Sequence, residues 1–168
     1  MIALELTDIK DFMKKLLLTE TFDNFLLQEA VITNNATYTI NGQITKDFYT
    51  TEELENLELN DCRFLPFSML RNHCFDLIKG KRTPLSFRFV FLLSPQNMQK
   101  TIASIGSSYT ESDISGIYIN LKYQKQQLFL TTGISYNIFS IDKTLEKEWD
   151  SLVMKFLKQH EIPFEEMQ

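Results

Sequence analysis

The sequence predicts an α+β fold, a mostly antiparallel sheet with helices packed on it, and three observations carry that expectation. Apolar runs rich in β-branched and aromatic residues recur with turn residues between them, from Phe25–Thr33 to Ile134–Ile141. Other segments place apolar side chains at i, i+3, i+4 and i+7, the clearest being 145–160. The order strand, helix, strands opens the chain at Ile2 and returns at Leu85, so two halves, 1–80 and 81–160, read as strand-helix-meander repeats within one domain spanning 1–168.

Bulk composition narrows the class. A chain of 168 residues with 43% apolar content is long enough for one sizeable core and too short for two ordinary domains. With 17 basic against 22 acidic side chains the net charge is −5, the opposite of the basic footprint that non-specific nucleic-acid binding requires. Cys62 and Cys74 form neither a Cys-x-x-Cys pair nor a disulfide scaffold and read as reduced, partly buried thiols. The first ten residues carry Glu5 and Asp8 without a basic leader, and no run reaches the ~18 apolar residues of a membrane span, so a cytoplasmic protein is expected.

In chain order, Thr7 and Asp8 supply a cap and a first-turn acid for a helix starting at Asp8. Ile9, Phe12, Met13, Leu16 and Leu17 share its inner face, and Lys10, Asp11, Lys14 and Lys15 form a solvated outer one. Phe25–Thr33, Ala36–Ile40 and a third run from Gln43 to about Phe48 read as a meander whose second turn, Asn41-Gly42, is a strong two-residue hairpin signal. Thr50-x-x-Glu53 has the form of a capping box opening a short helix. A longer helix fits Pro66–Lys79, with Gly80 just past its end.

The strand Leu85–Leu93 is apolar on both faces in its second half, which predicts a central strand covered on both sides or packed against another subunit. Ser94-Pro95 opens a helix to about Ile105, ended by Gly106-Ser107-Ser108. Strands are expected at Gly116–Gln124, Gln127–Thr132 and Ile134–Ile141, separated by Lys125-Gln126 and Gly133. Asp142 caps the final helix, and the tail Glu161–Gln168 should be irregular.

Two resemblances follow from these residues. A strand-helix-meander unit used twice resembles a single DNA sliding clamp domain, over Ile2–Ile44 and Phe87–Ile141. It is a likeness of topology that transfers no residue. The helices depart from it, since the first offsets three lysines with Asp8 and Asp11 and the second carries only Lys100, so duplex binding should be weak. The opening Ile-Ala-Leu-Glu-Leu-Thr-Asp-Ile-Lys-Asp-Phe-Met, the central Phe-Asp-Leu-Ile-Lys-Gly-Lys-Arg-Thr-Pro-Leu-Ser-Phe and the closing Trp-Asp-x-x-Val-x-Lys-Phe-Leu-Lys-Gln-His resemble an uncharacterised bacterial family of unknown function. That resemblance implies a cytoplasmic bacterial protein and supplies no activity.

The chain has no Walker loop, dinucleotide fingerprint, nucleophile elbow or His-Glu-x-x-His helix. A zinc site would need Cys62, His73, Cys74 and His160 all to converge, so neither metal nor cofactor is expected. The cluster Lys79, Lys81, Arg82 and Thr83 on a glycine-containing turn, extended by Arg88, fits a phosphate or an acidic partner, while the plainer reading is a solvated turn complementing a helix C-terminus. The favoured function is a non-enzymatic binding or scaffolding module with a protein partner. The alternative is an enzyme or binding protein for an anionic small molecule at 79–83, with Asp76 as base. Ten phenylalanines, Phe12, Phe22, Phe25, Phe64, Phe67, Phe87, Phe89, Phe91, Phe129 and Phe139, exceed what one small core readily absorbs and point to a homodimer.

Overall fold

A computed structural model describes residues 1–168 except Ser107. Its strands are β1 (Ala3–Leu6), β2 (Leu26–Thr33), β3 (Thr37–Asn41), β4 (Ser86–Leu92), β5 (Ile114–Gln124), β6 (Gln127–Tyr136) and β7 (Phe164–Glu166). Its α-helices are α1 (Ile9–Leu18), α2 (Thr51–Asn56), α3 (Phe67–Ile78), α4 (Pro95–Ile105) and α5 (Thr144–Gln159). The strands form one sheet in the order β3-β2-β4-β5-β6-β1-β7, every neighbouring pair antiparallel. The α+β expectation therefore holds, with β4 and β5 inside the sheet.

The sheet is covered on one face. Alternation along β4 buries Phe87, Phe89 and Phe91 and leaves Arg88 exposed and Val90 partly exposed. Cross-strand register places Ala30 and Leu121 beside Phe89, and Ile32 and Tyr123 beside Phe87. This face shares the core with Phe12 and Leu16 of α1, Phe67 and Cys74 of α3, and Leu145, Val153 and Leu157 of α5. Phe22, between α1 and β2, stacks on Phe91 at 5.5 Å and meets the Phe12 and Phe156 rings edge-on at 5.6 and 5.5 Å, so one ring joins two helices to the central strands.

The opposite face carries Glu5, Glu29, Val31, Arg88, Asn120, Lys122, Phe129 and Thr131, none of them buried. This corrects the expectation of a strand covered on both sides: of the outward β4 residues, only Leu92 at the end of the strand is buried. It is among the few buried apolar residues outside the main core, with Leu26, Ile44 and Leu59.

Several elements depart from expectation. Gln43–Phe48 is no third strand: Gln43 makes one bridge to Phe64, and 46–48 form a 3-10 turn. Gly42 is there because the chain crosses β2, donating its N–H to the Gln28 carbonyl at 2.9 Å, and a Cβ at this position would lie 1.7 Å from the Leu27 carbonyl oxygen. The expected break at Gly133 is also absent, since that residue pairs with Tyr118 inside a continuous β6. The hairpin at Lys125-Gln126 does form, with φ of 51° and 63° at its two residues, as a type I′ turn needs. In the tail, expected to be irregular, β7 pairs with β1. Each meander thus contributes two strands rather than three.

Caps are local and follow the sequence. Asp8 rather than Thr7 caps α1, which starts at Ile9, its carboxylate accepting from Asp11 N–H; Thr50 and Glu53 complete their capping box, and Ser94 caps α4 with Pro95 at its first position. Asp142 acts one residue further out than expected, accepting from the Thr144 N–H at 2.9 Å and hydroxyl at 2.6 Å. Both bonds hold its carboxyl below the usual carboxylate range. Gly106 closes α4 in the left-handed region, whereas Ser107, expected to help end that helix, lies outside the described residues.

Both halves run strand, helix, hairpin in sequence. Their pairing differs: β4 lies directly between β2 and β5, whereas β1 lies across the sheet between β6 and β7.

Candidate interaction surfaces

The basic turn follows α3 at the end of the sheet where β2 meets β4. Asn34 donates its side-chain amide to the Leu77 carbonyl at 2.7 Å, and Leu85 N–H reaches the Thr33 carbonyl at 2.9 Å. The five residues named for it do not converge. Lys79 pairs with Asp76 at 3.0 Å, one helical turn back, and leans over the Phe75 ring. Arg88 points from the open sheet face to Glu29 on β2 at 2.9 Å. Lys81, Arg82 and Thr83 are exposed, and among the described residues neither Lys81 nor Arg82 has an ionic partner. Asp76 is tied to Lys79 and sits on an exposed surface, a poor setting for a base.

The ten phenylalanines also settle differently from expectation. Phe12, Phe22, Phe25, Phe67, Phe87, Phe89 and Phe91 are buried in one core, and Phe64 and Phe129 are half-buried. A surplus of rings is therefore no reason for a dimer. The exception is Phe139, which is 94% exposed. It belongs to a segment assigned from sequence to a strand ending at Ile141. The strand actually stops at Tyr136, and 137–141 is a loop presenting Ile138, Phe139 and Ile141 to solvent, the last at 84% exposure.

This loop is fastened at both ends. Asn137 donates its backbone N–H to Asp113 O at 2.8 Å and its side-chain amide to Ser112 O at 2.9 Å. At the other end the Tyr109 hydroxyl lies 2.8 Å from Ser140 Oγ and donates to the Asp142 carbonyl at 2.9 Å, while Asp142 N–H donates to Ser140 Oγ at 3.1 Å. Beneath it Tyr136 packs on Tyr109 with ring centroids 5.4 Å apart. Burial, then the nearby Glu146, Tyr109 and Asp142, push the Tyr136 hydroxyl up to about 12. Among the described residues that hydroxyl is buried without a hydrogen-bond partner. The signal missed in the sequence is Ile138-Phe139: two adjacent apolar residues after Asn137 cannot both face the core from a strand.

A trough runs between α4 and α5. One part, about 250 Å³, has walls of Phe25, Leu93, Trp149, Leu152 and Phe156, with Lys100 and Thr101 at its rim. It shares Phe25, Leu93, Asn97 and Phe156 with a second part of about 520 Å³ that ends at His160, whose ring packs on Phe156 at 4.5 Å. A larger cleft, about 970 Å³, lies by the start of α4 and is lined by the carboxylates of Asp23, Glu58, Asp61 and Glu111 among polar neighbours. Asp23 is held bidentately by Arg71, and Glu111 accepts from Gln99.

Among the described residues no three His, Cys, Asp or Glu side chains stand close enough to share a metal ion. Cys62 and Cys74 are free thiols, and burial pushes Cys74 up to about 12, which leaves it an inert core residue. Among the described residues no helix is long and apolar enough to cross a membrane.

The class these features define is a two-layer α+β domain with an open sheet face and a projecting apolar loop. Residues 15–165 match the model of a family of unknown function, DUF5721, and the chain belongs to that family. No curated protein and no solved structure matches the chain.

Proposed function

We propose that the chain is a cytoplasmic binding module, not an enzyme, and that the loop 137–141 is its contact element for a protein partner. The observation that carries this reading is a loop tethered at both ends whose Ile138, Phe139 and Ile141 point away from the core. Exposing three large apolar side chains costs solubility, and fixing them in place lowers the entropy lost on binding. An aromatic anchor of this kind fits a desolvated pocket on a partner.

Supporting a non-enzymatic role, the basic turn divides its cations between Asp76, Glu29 and solvent rather than gathering them around a substrate. DNA is a poor partner. Lys15 of α1 is paired with Asp11 at 2.7 Å, and α4 carries Lys100 as its only charge, so few counterions would be released.

The test is a photo-crosslinking residue at position 139 of the full chain in the native cell, with the same residue at Lys147 on the exposed side of α5 as control. A discrete protein adduct at 139 and none at 147 is expected; no adduct at 139 overturns the reading. The anionic-ligand alternative rests on Lys81 and Arg82, exposed and without an ionic partner among the described residues. It requires a phosphorylated metabolite that raises the melting temperature, by about 2.7 kcal/mol of stabilisation at ~100 times its dissociation constant, and that loses this effect in Lys81→Ala/Arg82→Ala.

A further inference from the structure

The protein carries both halves of a contact. On the proposed reading of 137–141 as a docking loop, we infer that its occupant is a second copy of this chain, with Phe139 of each copy seated in the α4–α5 trough of the other.

Shape supports it first. The inner part of the trough, about 250 Å³, is walled by Phe25, Leu93, Trp149, Leu152 and Phe156, a volume and chemistry suited to one aromatic side chain flanked by aliphatic ones. Phe139, between Ile138 and Ile141, is such a group, and it has no place in its own core.

Position supports it next. α5 begins at Thr144, just after the loop, and Leu152 on the trough wall lies eight residues further on, ~12 Å along the axis. Loop and trough are therefore close along the axis of α5. A two-fold axis between them brings each loop over the other trough, so the contact closes as a dimer and does not propagate.

Charge agrees. The loop is flanked by Asp113 and Asp142, and Asp142 is held ionised by its bonds from Thr144. The trough rim offers Lys100, for which no ion pair exists among the described residues. Acid against base across the seam sets orientation, while the phenylalanine supplies the apolar anchor.

Light scattering on the purified full chain at high micromolar concentration tests this. The expected mass is twice 19.7 kDa. Phe139→Asp and, separately, Leu152→Arg should each weaken self-association at least thirtyfold, as loss of a hot spot does, with circular dichroism confirming that both variants fold. Mixing them should restore partial dimerisation, because one intact loop then meets one intact trough; a general loss of structure could not be rescued this way. A monomeric wild type, or a dimer indifferent to Phe139→Asp, overturns the inference. The two failures remain distinguishable: a monomer whose position 139 still crosslinks another protein in the cell loses the second copy and keeps the docking loop, whereas a monomer that crosslinks nothing loses both.

Discussion

Trp149 donates its indole N–H to the carbonyl oxygen of Tyr118 at 3.0 Å. That bond fastens the middle of α5 to β5, the central strand, and sets the helix at the height where Leu145, Val153 and Leu157 reach the core. Trp149→Phe keeps an aromatic ring but loses the donor and part of the packing. The expected cost is about 2 kcal/mol of unfolding free energy, read by urea denaturation followed by circular dichroism, since this is the only tryptophan.

Asn41 and Gly42 should separate cleanly under mutation. Gly42→Ala drives a methyl into the Leu27 carbonyl and should cost about 3 kcal/mol or more, because neither backbone can easily move away. Asn41→Ala loses one side-chain bond to Gln43 N–H and should cost about 1 kcal/mol. A type I′ hairpin at this site would instead tolerate Gly42→Ala with a milder loss of ~1–2 kcal/mol from the left-handed backbone, so the size of the Gly42 effect in thermal unfolding decides between the two geometries.

The real type I′ turn can be improved. Lys125 and Gln126 both hold positive φ, a conformation strained for ordinary side chains and easy for Asn-Gly. Lys125→Asn/Gln126→Gly should raise stability by about 1 kcal/mol, measured as a rise in melting temperature. A fall would mean that the long side chains contribute more than the backbone strain they impose.

Alkali should destabilise the fold through two buried groups. The Cys74 thiol, pushed up by burial from 9.0 to about 12, stays neutral in the folded protein while the unfolded chain ionises near 9. Its contribution is fully present below pH 9 and is lost at about 1.4 kcal/mol per pH unit as pH rises toward 12. Tyr136 adds the same sign between 10 and about 12. Cys74→Ala should flatten the pH dependence of urea stability above pH 9, although its stability at pH 7 falls. Tyr136→Phe should hold or gain stability at pH 7, since it removes a hydroxyl buried without a partner among the described residues.

What the sequence determined by itself was local. The Thr50–Glu53 box, Ser94-Pro95, the stripe of α5 from Leu145 to Leu157 and the alternation of Phe87, Phe89 and Phe91 depend on neighbours within a turn or two, and all appear as expected; only His160, at the end of that stripe, is exposed. The α+β class followed from their order. Tertiary contacts decided the rest. Asn41-Gly42, the best hairpin signal in the chain, makes no hairpin because β2 runs past it and needs a residue without Cβ, while Lys125-Gln126 turns because β5 and β6 pair along their whole length. The tail becomes a strand because β1 has a free edge beside it. The basic turn disperses because Arg88 pairs with Glu29 on the neighbouring strand β2 and Lys79 meets Asp76 on its own helix. Phe139 stays outside because Asn137 and Ser140 are bonded to groups distant in sequence, which ends β6 before the loop can reach the core. Burial and long-range hydrogen bonding are properties of the assembled chain, so no periodicity in the sequence could announce them.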